Sequence, residues 1–197
     1  MTPETRPDGL NLDATYPDWL PASFAASYDR FVNAYCHDVN MLHHFLPERP
    51  KVEAAVLDAS GGQSVILRFG DRIASMALTL SELGEWTQRG EWDEGLEFHF
   101  EGGRLLIAFP PPLYRHRCAR VVLRRGSQPE EIISDGESGQ SVFTIQAANF
   151  VADLTHGRPS RSSAEGSVRD MDLIEDIWAK GLGLATTKHP LAEMVEG

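Results

Sequence analysis

Between Val52 and Ser134 the chain repeats one device: a short run of alternating apolar and polar residues, then turn residues, then another run. Val52–Leu57, Ser64–Phe69 and Ile73–Leu80 are such runs, separated by Gly61-Gly62 and Gly70-Asp71. Leu96–Phe100 and Arg104–Phe109 flank Gly102-Gly103, and Pro110-Pro111-Pro112 ends that hairpin. Ala119–Arg124 and Glu131–Ser134 complete the series. A period of two places alternate side chains on opposite faces of a strand, and connections this short join antiparallel neighbours. The middle of the chain therefore predicts an antiparallel meander.

Helical spacing brackets the meander. A helix is expected over about 29–46, closed by the prolines of Pro47-Glu-Arg-Pro50. Phe143, Ala147, Phe150, Val151 and Leu154 recur at three and four residues, and Gly157 and Pro159 end that helix. After the Arg158–Ser163 loop, Ser162 and Glu165 fit a Ser-x-x-Glu capping box. The last helix spans about 164–180, with Val168, Met171, Ile174, Ile177 and Trp178 inward, and closes at Gly181. Strands grouped together with helices at the ends argue for an α+β fold, an open, mainly antiparallel sheet with helices packed on one face. The other face is left to solvent or to a second subunit. Residues 1–27, rich in Pro, Asp, Gly and Ser, read as an irregular lead-in.

The first helix carries the most unusual stretch, NAYCHDVNMLHH from Asn33 to His44. At about 100° per residue, Asn33, His37, Asn40 and His44 lie within roughly 60° of one another. Val32, Tyr35, Cys36, Val39, Leu42, Phe45 and Leu46 take the opposite side. A solvated face is usually built from Glu, Lys or Arg, which are better helix formers than Asn or His. An uncharged stripe of Asn and His suits a wall that meets a polar ligand and exchanges a proton with it. It is also compatible with a plain solvated face. A metal site is disfavoured, because His37 and His44 stand about 10 Å apart along the axis and no HExxH pairing exists.

Charge narrows the partners. Eighteen basic residues against 29 acidic give a formal net charge of −11. An acidic chain with three lysines is a poor binder of nucleic acid or anionic membrane. Arg115, Arg117, Arg120, Arg124 and Arg125 alternate on strand positions and are expected to decorate a solvated sheet face. Cys36 and Cys118 have neither zinc nor disulfide spacing. Without a cationic start, an apolar leader or a 20-residue apolar run, the chain is expected to be soluble and cytoplasmic.

Three segments, taken in order, resemble the C-terminal domain of the glucose–fructose oxidoreductase, inositol dehydrogenase and rhizopine-catabolism (Gfo/Idh/MocA) family. NAYCHDVNMLHHFL is similar to that family's D-x-x-x-H-x-x-D helix. GEWDEGLEFHFEGGRLLIAFP is similar to its strand–Gly–strand hairpin. FTIQAANFVADLTHGRPSRSSAEGSVRDMDLIEDIW is similar to its closing helix pair with a Gly-x-Pro loop. The likeness covers roughly residues 28–183, leaving 184–197 as a tail. It implies a dihydrodipicolinate-reductase-like C-terminal domain that holds substrate and oligomerises, in an NAD(P)-dependent dehydrogenase of sugars and polyols. On that likeness His37 is the acid/base that takes the substrate's hydroxyl proton, and Asn33, Asn40 and His44 line the substrate. Trp86 and Trp92, on a polar loop between strands, either stack on a sugar ring, meet a partner, or pack on their own loop.

The departures matter as much. Both family aspartates are asparagines here, Asn33 and Asn40, so an imidazolium at His37 gains no charge partner from them. No G-x-G-x-x-G follows a strand, and Gly181 to Gly183 follow a helix instead. The family's Glu-Lys-Pro element has no counterpart, the lysines being Lys51, Lys180 and Lys188. The chain alone is thus expected to bind no cofactor and no metal. The implied NAD(P) would come through a Rossmann-bearing partner subunit or the rest of a longer protein. Three readings stand: the substrate-binding, oligomerising half of such an oxidoreductase; a cofactor-free isomerase or lyase using His37; or a non-catalytic oligomerisation module. The expected partners are a sugar-like small molecule and a second copy, which meets the chain through the open sheet face.

Overall fold

The computed structural model describes residues 16–78, 94–110, 117–137, 142–159 and 163–185. The expected α+β fold is present: three α-helices and two open antiparallel sheets. The chain divides into two compact units, Met1–Leu80 with Ser167–Gly197, and Ser81–Gly166.

In the first unit a 3-10 turn, Ala22–Phe24, runs into α1 (Ala25–Phe45), and β1 (Lys51–Leu57), β2 (Gln63–Phe69) and β3 (Arg72–Leu78) follow as a meander. The β2–β3 hairpin pairs Phe69 with Arg72 and turns on Gly70, at φ +59, a backbone state that glycine reaches without a Cβ clash. Alternation in β2 is complete: Gln63, Val65, Leu67 and Phe69 are buried, and Ser64, Ile66 and Arg68 are exposed. The last helix, α3 (Ala164–Gly181), completes the layer. Tyr28, Phe31, Val39 and Leu42 of α1 form one buried core with Val52 of β1, Val65, Leu67 and Phe69 of β2, and Leu173, Ile174, Ile177 and Trp178 of α3. Trp178 is its centre, taking edge contacts from Phe24, Tyr28 and Phe31 at 5.2–6.0 Å. Such pairs add to the stabilisation that burial alone gives.

Polar groups fix how α1 lies on the sheet. Ser27 donates its hydroxyl to the Asp58 carbonyl (2.9 Å), and the buried amide of Gln63 donates to Ser27 (2.8 Å). Past the end of α1, Arg49 reaches Asp176 of α3 at 2.9 Å. The expected inward stripe of α3 is found at Ile174, Ile177 and Trp178, with Met171 partly buried against the core. Its cap differs from the expectation. Ser163 Oγ accepts the Gly166 N–H at 3.0 Å, while Ser162 lies outside the described residues. Helix entry at Ala164 makes Ser163 the N-cap, whose side chain reaches the third N–H of the helix.

The second unit holds β4 (Glu94–Phe100), β5 (Gly103–Phe109), β6 (Arg117–Arg125) and β7 (Glu131–Glu137), paired in that order, and α2 (Val142–His156). The β4–β5 turn pairs Phe100 with Gly103 across Gly102 at φ +82. The arginines behave as surface groups: Arg117 pairs with Glu137 (3.6 Å), Arg124 with Glu130, and Arg125 with Glu131 (3.5 Å). Arg115 lies outside the described residues. Among the described residues of this unit, the buried apolar side chains are Ile107 and Val122. No described helix is long and apolar enough to cross a membrane.

Candidate functional site

The Asn/His stripe of α1 is largely on the surface. Asn33, His37 and His44 are exposed, and Asn40 is half-buried where α1 meets α3. Asn33 does not reach toward His37; its amide donates to the Asp29 carbonyl (2.9 Å) and to Asp29 Oδ1 (3.2 Å), one turn earlier. The His44 ring stands edge-on to Phe45 at 5.4 Å. His37 makes no hydrogen bond or ion pair among the described residues, so both ring nitrogens are available to a ligand. The positions expected on the opposite side follow the wheel, except that Phe45, at the helix end, is 42 % exposed. Trp86 and Trp92 lie outside the described residues.

The cluster that sequence reasoning missed lies on the core side of the same helix. His43 is 4 % exposed, and its Nδ1 donates to Asp170 Oδ1 of α3 at 2.6 Å. The second carboxylate oxygen, Oδ2, accepts the Asn40 amide at 2.7 Å. Asp170 is itself 6 % exposed. A carboxylate that deep is tolerable only when its oxygens are hydrogen-bonded, and two α1 donors do that. His43 Nε2 is buried without a partner among the described residues. Two signals were available in the sequence. His43 sits about 40° from Val39 on the wheel, inside the apolar arc. Asp170 precedes Ile174 by four residues and Ile177 by seven, the spacing of the inward stripe of α3.

Cys36, on the apolar side of the wheel, is half-buried, and its thiol donates to the Asn33 carbonyl at 3.8 Å. Burial pushes the thiol above its usual range; the nearby Asp170 and Asp38 carboxylates add to the rise. A thiol held protonated is a poor nucleophile. Burial also pushes the Tyr28 phenol up to about 12, with Glu175 contributing. A hollow of about 220 Å³ lies beside this region, lined by Trp19, Glu175, Ala179, Leu184 and Ala185, and His37 is not among its walls. Among the described residues no three His, Cys, Asp or Glu side chains come together as a metal site.

Both sheets are antiparallel meanders, so among the described residues no strand leads through a glycine turn into a helix whose N-terminus would receive a pyrophosphate. What the α1 surface offers is an accessible imidazole between two amide side chains that are anchored elsewhere.

No protein-family model matches the sequence, and no characterised protein matches it by sequence. Solved structures do match by fold. KijD10, a 3-ketoreductase from Actinomadura kijaniata crystallised with TDP-benzene and NADP in an open conformation, superposes with a TM-score of 0.54 at 18% identity. That match covers 76% of this chain and 46% of the reductase. Its complex with NADP matches with a TM-score of 0.53 at 17% identity, over 76% of this chain and 47% of that one. This chain thus spans under half the length of the reductases it resembles, and over that stretch it has their fold.

Proposed function

We propose that this chain supplies the substrate-contacting and assembly half of a sugar-type oxidoreductase, with the nucleotide-binding half lying outside this sequence. The observation that carries the reading is the fold match: three quarters of the chain follow less than half of a 3-ketoreductase crystallised with NADP. KijD10 belongs to the Gfo/Idh/MocA family, the one that the α1, hairpin and closing-helix segments resemble. By its resemblance to the family's helix motif His37 is the proposed acid/base, and it lies exposed on α1. Its role is to take the hydroxyl proton as a substrate alcohol becomes a carbonyl, while the hydride from that carbon would pass to a nicotinamide held by the half outside this sequence. Asn33, Asn40, His44, Trp86 and Trp92 are the proposed substrate contacts. Asn33 and Asn40 use their N–H groups on Asp29 and Asp170, which leaves each amide oxygen to accept from a sugar hydroxyl. No cofactor chemistry is assigned to the chain itself.

Native mass spectrometry of the assembly isolated from its source cells tests the reading. The expected result is a complex in which a nucleotide-bearing subunit or segment accompanies this chain. In that assembly His37→Ala should lower kcat by about 10²–10⁴-fold, the usual weight of a general acid/base. Tight NADP(H) binding by the chain alone, or full activity in His37→Ala, would overturn the proposal.

A second reading rests on the outer face of the first sheet. Ala54, Val56, Ser64, Ile66, Ile73, Ser75 and Ala77 are all exposed there, a small-residue and apolar surface relieved by few charges. A sheet face of this kind suits burial against a second copy, the role of a non-catalytic oligomerisation module. The open setting of His37 weighs against a stand-alone isomerase or lyase, which needs a closed site to exclude water.

A further inference from the structure

The amides that flank His37 are held by groups that only accept. Asn40 donates to Asp170 Oδ2 at 2.7 Å; Asn33 donates to the Asp29 carbonyl at 2.9 Å and to Asp29 Oδ1 at 3.2 Å. A carboxylate or carbonyl oxygen has no proton to give, so each amide turns its nitrogen to that partner and its oxygen away. At Asn40 the partner is itself fixed. Asp170 and His43 are 6 % and 4 % exposed, and His43 Nδ1 donates to the other carboxylate oxygen at 2.6 Å. His43 Nε2 is buried without a partner among the described residues, so the ring proton belongs on Nδ1, where it meets that oxygen. We infer that Asp170 is a positioning residue: it locks the Asn40 amide with its oxygen outward, so that the face around His37 presents acceptors to the substrate. The inference rests on the reading of His37 as the acid/base.

Helix geometry brings that oxygen to the reacting group. Asn40 follows His37 by three residues and Asn33 precedes it by four, so both are its neighbours on one face of α1. Side chains on a helix lean toward its N-terminus, which carries Asn40 over the turn that holds His37. Two outward oxygens beside an imidazole accept from hydrogen-bond donors and repel anions. A fitting substrate therefore carries a hydroxyl or ammonium group next to the hydroxyl whose proton His37 takes. A carboxylate or phosphate at that place would set oxygen against oxygen. The formal net charge of −11 acts in the same direction. Beside the reacting carbon, the substrate class is a neutral polyol or an amino sugar, and an acidic sugar is turned away.

Hydrogen exchange of side-chain amides, read by NMR on the full chain, tests the lock. The Asn40 amide should exchange at least about tenfold more slowly than that of Asn149, which is exposed on α2. Asp170→Asn keeps the volume and the buried bonds, since the new amide accepts from His43 and donates to the Asn40 oxygen. That turns the Asn40 N–H outward, so its protection should vanish while the backbone amides of α1 keep theirs. Asn40→Asp combined with Asp170→Asn restores an outward oxygen. Kinetics of the native assembly on a neutral sugar alcohol, an amino sugar and a sugar acid read the consequence. The wild type should favour the first two over the acid by about tenfold or more in kcat/KM. Asp170→Asn should shrink that preference about three- to tenfold, the weight of one hydrogen bond, and the double variant should restore it. A merely structural role would lower all three rates alike. An unprotected Asn40 amide, protection untouched by Asp170→Asn, a wild-type preference for the acid, or an equal loss on all three compounds overturns the inference. If the assembly oxidises none of them, the oxidoreductase reading fails and the substrate class with it, whereas the exchange result still decides the lock.

Discussion

Helices α3 and α2 have similar lengths and opposite fates. Eighteen residues of α3 contribute Leu173, Ile174, Ile177 and Trp178 to a shared core at 2 % exposure or less. Fifteen residues of α2 bury none, although α2 is the more apolar of the two. Amphipathic spacing alone therefore does not make a buried helix. What stabilises α3 is the presence of α1 and β2 opposite its stripe; no described side chain of α2 reaches comparable burial.

The widest gap should appear on truncating matched aromatics. Trp178→Ala, at the centre of the first unit's core, is expected to cost about 3–5 kcal/mol. Phe150→Ala, measured in dilute solution, should cost under about 0.5 kcal/mol, as exposed positions do. Urea unfolding followed by fluorescence and circular dichroism reads both, and equal losses would break the contrast. Close behind comes the buried pair that ties α1 to α3. Asp170→Ala leaves His43 and Asn40 without their acceptor in a buried setting, and the loss of stability should be about 3–5 kcal/mol. Replacing Asp170 together with His43 by apolar residues of similar volume should recover much of that loss. A double-mutant cycle without coupling would show that the 2.6 Å contact contributes little.

Two smaller effects sharpen the picture of how α3 is seated. A Cβ on Gly181 would lie 2.5 Å from Leu57 Cδ1 and Cγ, so Gly181→Ala makes either Leu57 or α3 shift and should cost about 1–3 kcal/mol. Ser163→Ala removes the cap on the Gly166 N–H and should cost about 1 kcal/mol. Thermal melts would rank the two, and a neutral Gly181→Ala would mean that the Leu57 side chain gives way.

The weakest prediction concerns acid. Glu53 is held below its usual pKa by hydrogen bonds from Arg68 and Lys51, and Asp58 by the Ser60 hydroxyl and N–H. Glu165 is held low by its own backbone N–H and by the Ser163 hydroxyl. Each is lower in the folded chain than in the unfolded one. The stability they add is therefore present above the ordinary carboxylate pKa of about 4, and is lost as pH falls through their lower folded values. Urea midpoints between about pH 6 and about pH 2 should fall accordingly, and Ser60→Ala should blunt part of the fall. All three carboxyls are open to solvent, so the effect is small and salt-sensitive.

Much of this was legible in the residues. The strand runs, turn glycines and three helices follow from periods of two and 3.6 and from local turn chemistry, which depend on neighbours a few positions away. The uncharged face of α1 was legible for the same reason, and its exposure fits the wheel. The anchoring of that face was not. Asn33 turned out to be tied to Asp29 within its own helix, and Asn40 to Asp170, 130 residues away.

The sequence by itself determined the element order, the antiparallel pairing and the side each strand and helix turns inward, because those rest on local sterics and on the need to bury apolar stripes. Only the tertiary structure decided which group meets His43 inside the core. The wheel already sets His43 beside Val39 and His37 on the polar side, but it names no partner for either. Asp170 on a distant helix makes the difference, since a buried imidazole and a buried carboxylate are each costly alone and tolerable together. The same holds for α2. Its stripe is written in the sequence, but whether it is covered depends on what stands across from it.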